Sequence, residues 1–73
     1  MVTLYSKPGC PQCMATKRAF DKNGIDYNYV DVTQSDDAYS YVADTLGYQA
    51  VPVVETDTEH WAGYKEEKIK GLL

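Results

Sequence analysis

The stretch SKPGCPQCMATKRAF, Ser6 to Phe20, contains both cysteines of the chain, Cys10 and Cys13, with two residues between them. What precedes it, Val2-Thr3-Leu4-Tyr5, is β-rich and stops at the turn residues Lys7-Pro8-Gly9, which reads as a strand and its exit. Pro11 suits the first turn of a helix, where its missing N–H costs nothing. Helix formers then run from Gln12 to Lys22, and Asn23-Gly24 supplies a stop. Asp26 to Val32 alternates and is rich in Tyr and Val, a second strand. Strand, tight loop, helix and strand make a βαβ unit, so the first two strands are expected to run parallel.

The rest of the chain extends this unit. Thr33 to Ser35 can cap a second helix, in which Tyr39, Val42, Ala43 and Leu46 form one apolar stripe ended by Gly47. Val51 to Glu55 reads as a third strand with Pro52 near its start. Thr56-Asp57-Thr58 turns the chain, and Glu59-His60-Trp61 returns as a short fourth strand. Tyr64 to Leu73 is expected to form a last helix that buries Ile69, Leu72 and Leu73. The order β-α-β-α-β-β-α predicts an α/β fold, a four-stranded mixed sheet flanked by three helices.

Size and composition set bounds. Seventy-three residues make one small domain, 1–73, with a modest core. The net charge of -4 argues against nucleic acid as a partner, and no apolar run approaches the ~20 residues needed to span a bilayer. The N-terminal residues lack a basic region followed by an apolar one, so no secretion signal is expected and the default compartment is the cytoplasm. There a cysteine pair is more often redox-active, catalytic or metal-binding than a stable disulfide. The charge is uneven. Lys7, Lys17, Arg18 and Lys22 lie near the cysteines, whereas Asn23 to Tyr64 holds eight acids and no Lys or Arg. This is either a solvated acidic face or a basic rim that steers an acidic partner segment.

Cys10 sits where an N-cap would sit, facing the free N–H groups and the positive end of the helix dipole. Such settings lower a thiol pKa from ~8.5 to between ~3.5 and ~7.5, and Lys7 would add a positive charge. Cys10 is therefore the candidate nucleophile. Cys13, about one turn later on the same side, is the candidate resolving thiol. The spacing leaves other readings open. A zinc site usually needs four ligands, and the chain offers two Cys plus His60. A structural disulfide closing so small a loop gains little from chain entropy. Pro52 is either an edge-strand proline or a cis-proline turn that exposes the Val51 backbone to an incoming partner strand; sequence leaves the isomer open.

Taken together, "CPQC" followed by "MATKRAF", then "GYQAVPVV", then "HWAGYKEEKI" resemble the thioredoxin superfamily, and within it the short glutaredoxin-like NrdH redoxins. The resemblance covers essentially the whole chain and implies a thioredoxin-like fold. It implies a dithiol–disulfide oxidoreductase that donates electrons to the large subunit of a class Ib ribonucleotide reductase. Recharging would come from NADPH through thioredoxin reductase, with no bound cofactor or metal, and a monomer is expected. Cys10 and Cys13 match the redox pair and Pro52 the cis-proline. Lys7, Pro11, Gln12, Val51, Pro52, Trp61, Ala62, Gly63 and Tyr64 are expected to meet the partner.

Two departures stand out. Pro11 follows the nucleophile as in ordinary glutaredoxins, and the family's Trp-Ser-Gly-Phe-Arg-Pro is here Trp61-Ala62-Gly63-Tyr64-Lys65-Glu66. Arg to Lys loses the bidentate fork. Glutathione-binding glutaredoxins carry a Gly-Gly-x-Asp-Asp run at this place; its glycine pair and acids are missing, so weak glutathione binding is expected. A glutathione-dependent glutaredoxin and a metal- or cluster-binding module remain the alternatives. Trp61 also reads as a core aromatic, and His60 as an exposed strand residue.

Overall fold

The computed structural model describes residues 1–73. Four strands, β1 (Thr3–Ser6), β2 (Asn28–Asp31), β3 (Val53–Glu55) and β4 (His60–Ala62), lie in the order β2-β1-β3-β4. β1 and β2 are parallel, with Leu4 opposite Tyr29, while β3 runs antiparallel to both β1 and β4. The helices are α1 (Pro11–Lys22), α2 (Asp36–Ser40, continued by a π turn over Tyr41–Thr45) and α3 (Glu66–Lys70). This is a thioredoxin-like fold.

The period of two along the strands divides the core. Leu4 and Val54 point to one face, where they pack with Phe20 of α1, Trp61 of β4 and Ile69 of α3. Tyr5 and Val53, the next residues along or back, point to the other face and pack with Val32 and Val42. One face thus carries α1 and α3, the other α2. Burying a side chain of this size contributes ~1.5–3 kcal/mol, so both faces matter to a small domain. α1 is closed at its far end by Asn23, whose Nδ2 donates to the Ala19 carbonyl at 2.8 Å. Ser35 caps α2 by accepting the Ala38 N–H at 3.2 Å.

The departures from expectation have local causes. The second strand is shorter than Asp26–Val32, because Tyr27 turns back to pack on Phe20, with ring centroids 5.0 Å apart, and donates to Asp21. The third strand begins at Val53 instead of Val51: Pro52 has no N–H to give a ladder. The fourth is displaced by one residue. α2 is not a regular helix. The Leu46 N–H reaches the Tyr41 carbonyl, one residue beyond the α spacing, so the expected 3.6-residue stripe breaks and Tyr39 is left 63% exposed. α3 is short, starting after Lys65 and ending at Gly71. Ile69 is buried as expected, but Leu72 is only half-buried and Leu73 is 71% exposed.

Candidate functional site

The turn after β1 delivers Cys10 to the start of α1. Gly9 takes φ +70° there, a backbone shape that a side chain would strain. Cys10 itself is extended (φ -106°, ψ 105°) and occupies the N-cap. Its Sγ accepts the Cys13 N–H at 3.2 Å, the contact an N-cap oxygen would make. Cys10 and Cys13 are joined as a disulfide, with Cα atoms 5.2 Å apart. Cys10 is 7% exposed and Cys13 1%, so the only approach for a partner sulfur is to Cys10.

A second wall comes from the segment before β3. The Val51–Pro52 peptide is cis, and the Val51 carbonyl oxygen lies 3.8 Å from Cys10 Sγ. Pro52 is buried beneath it, and its carbonyl accepts the Gly63 N–H at 2.8 Å. Lys7, Gly9, Cys10, Pro11, Gln12, Ala50, Val51, Ala62 and Gly63 surround an open groove of about 400 Å³. No Asp or Glu lines it, although the chain carries net charge -4. Cys10 Sγ thus sits at the α1 N-terminus, in a groove that Lys7 lines and no carboxylate enters.

Most of the expected partner-facing residues thus meet on this groove: Lys7, Pro11, Gln12, Val51, Ala62 and Gly63. Of the rest, Pro52 is buried beneath Val51, and two do not line the groove. Trp61 takes its core reading: its side chain is 4% exposed and packs with Leu4, Phe20, Val54 and Ile69, because β4 alternates and Trp61 falls on the α1/α3 face. Its indole N–H is buried with no acceptor. Tyr64 lies beyond the rim; only its backbone joins the site, its N–H donating to Gln12 Oε1 at 3.3 Å.

Other contacts had no signal in the motif. Gln12 works as a brace between α1 and the Gly63-Tyr64 turn, which its place between the cysteines does not reveal. Gly9 and Ala50 line the groove, and only their adjacency to named residues hinted at it. Tyr48 Oη lies 2.8 Å from His60 Nδ1 and donates toward the His60 carbonyl at 3.2 Å, pinning the loop before Val51 to β4. His60 is exposed on its strand. No group of three or more His, Cys, Asp or Glu side chains gathers as a metal site, and no helix is long and apolar enough to cross a membrane.

Comparison with known proteins agrees with this geometry. The family model described as Glutaredoxin matches residues 2–61. The Gene 56 protein of Mycobacterium phage L5 is 41% identical over 73 residues, 99% of this chain and 71% of the relative. The glutaredoxin-like protein NrdH of Salmonella typhimurium is 36% identical, over 97% of this chain and 86% of its own. Among solved structures, the NrdH-redoxin of Escherichia coli superimposes with a TM-score of 0.93 at 30% identity, over 99% of this chain and 93% of that one. With a disulfide-bonded CxxC pair at a helix N-terminus and this company of relatives, the chain belongs to the glutaredoxin family, in its NrdH redoxin group, and is a thiol–disulfide oxidoreductase.

Proposed function

We propose that the chain is an electron carrier that reduces the disulfide of a class Ib ribonucleotide reductase large subunit and is recharged by thioredoxin reductase. The observation that carries this reading is the placement of Cys10, at the α1 N-cap in an acid-free groove, 3.8 Å from the Val51 carbonyl. A partner strand pairing along Val51 brings its disulfide to Cys10. The Cys10 thiolate attacks one partner sulfur, a mixed disulfide forms, and the second partner sulfur leaves as a thiolate that takes up a proton. Cys13 then loses its proton and attacks Cys10 Sγ. The first partner sulfur leaves, and the two electrons have passed from the Cys10–Cys13 dithiol to the partner. The second attack is intramolecular, so the mixed disulfide is short-lived. NADPH serves only through the reductase.

The groove also supports thioredoxin reductase over glutathione. The side that would hold a γ-glutamyl group is formed by Ala62 and Gly63, with no carboxylate. The Escherichia coli relative is described as having a thioredoxin-like activity profile. On this reading the 73 residues act as one monomeric unit in the cytoplasm. The test is a pair of coupled assays. NADPH with thioredoxin reductase should support insulin disulfide reduction, and glutathione with its reductase should not. Activity with the glutathione system alone would sink the reading.

A further inference from the structure

A second groove, of about 600 Å³, runs between α1 and α3 on the face away from α2. Ala15, Arg18, Ala19 and Lys22 contribute one wall, spaced i, i+3, i+4, i+7 along α1. Glu66, Ile69, Lys70 and Leu73 contribute the other with the same spacing. The small alanines and the buried Ile69 make an apolar floor, and Leu73 offers an exposed apolar surface at its edge. The rim is cationic. Arg18 and Lys22 pair with no carboxylate, and the Lys70–Glu66 contact, at 3.3 Å, is exposed. A chain of net charge -4 thus concentrates free positive charge beside an apolar trough.

We propose that this α1/α3 groove is a second docking site, which takes an acidic, leucine- or phenylalanine-bearing segment of the partner protein whose disulfide Cys10 reduces. The proposal rests on the reading of the chain as a carrier between protein partners. Charge selects the occupant: a basic segment is repelled by the unpaired Arg18 and Lys22, with Lys70 partly offset by Glu66, and a neutral one gains only the apolar floor. Continuity with the thiol groove supports a single partner spanning both. Tyr64 lines the α1/α3 groove, and its backbone N–H is held by Gln12, which lines the groove of Cys10. The second contact raises the residence of the partner without touching the sulfur chemistry.

The test uses the whole chain, labelled with ¹⁵N, and a short synthetic peptide of Asp, Glu, Leu and Phe, with a Lys-for-acid version as control. The acidic peptide should shift the amides of Ala15, Arg18, Tyr64 and Lys70, and salt should weaken it. The triple variant Arg18→Gln/Lys22→Gln/Lys70→Gln should bind it about tenfold more weakly. In the insulin assay the same variant should show a raised KM with kcat kept, and unchanged reduction of the small neutral hydroxyethyl disulfide. Equal shifts from both peptides, no shifts, shifts centred elsewhere, or an unaffected triple variant would overturn the docking site. Failure of wild-type protein with thioredoxin reductase is a separate result and strikes the proposed function instead.

Discussion

Replacing Trp61 by Phe separates a packing role from a partner-contact role. The indole is 4% exposed, lies against Leu4, Phe20, Val54 and Ile69, and buries an N–H with no acceptor. Two effects oppose each other. The vacated volume of about 40 Å³, at ~24 cal/mol per Å³, costs about 1 kcal/mol, and the lost transfer free energy adds roughly 1 kcal/mol more. Removing an unpaired buried donor returns ~1–3 kcal/mol. Trp61→Phe should therefore change stability by no more than about 1 kcal/mol in either direction. Trp61→Ala, which empties the site, should lose ~3–5 kcal/mol, a large share of the ~5–15 kcal/mol typical of a whole domain. Trp61 is the only tryptophan, so unfolding in urea is followed by far-ultraviolet circular dichroism, not fluorescence. Insulin reduction by Trp61→Phe should match the parent protein. Unchanged stability with a tenfold rise in KM would refute the reasoning and return the indole to the partner surface.

Further outcomes follow from other sites. Gly63 has φ +86°, and an added Cβ would lie 3.6 Å from Gln12 Oε1, so the cost of Gly63→Ala is backbone strain more than collision: ~1–2 kcal/mol by urea denaturation. Gln12→Ala removes the acceptor of the exposed Tyr64 N–H and should lose about 1 kcal/mol or less, with the KM for protein substrates rising more than kcat falls. Tyr41 donates to Glu55, and that bond holds its hydroxyl up at a pKa of about 12. A raised pKa favours the folded state fully below the ordinary value of 10.0 and loses that contribution as pH climbs to about 12. Tyr41→Phe should therefore flatten the alkaline fall in stability between those values, measured by urea midpoints across pH.

The element order, the parallel β1–β2 pair and both ends of α1 were legible because local chemistry dictates them. Pro11 starts the helix and Asn23-Gly24 stops it, whereas the two faces taken by Leu4/Val54 and Tyr5/Val53 emerge only from the folded sheet. What sequence missed depends on non-local contacts. The π turn at Tyr41–Thr45 accompanies the packing of Tyr41 on Tyr5 and its bond to Glu55, and no periodicity of α2 alone reveals it. The same turn leaves Tyr39 outside. At the site, the residues flanking Cys10 and Pro52 were readable because the motif places them together. Trp61 was legible only as two alternatives, a core aromatic or a partner-facing one, and its pairing opposite Val54 of β3 is what puts it on the α1/α3 face. The Gln12 brace joins residues 12 and 64, and only the folded chain brings them together.

The central claim is that Cys10 attacks and Cys13 resolves. It is tested most directly by mixing reduced Cys13→Ser protein with a disulfide-bearing partner and locating the adduct by mass spectrometry. A stable mixed disulfide on Cys10, with none formed by Cys10→Ser protein, is the predicted result. An adduct on Cys13 in the Cys10→Ser variant, or full turnover by Cys13→Ser with a substrate that needs two thiols, would contradict it.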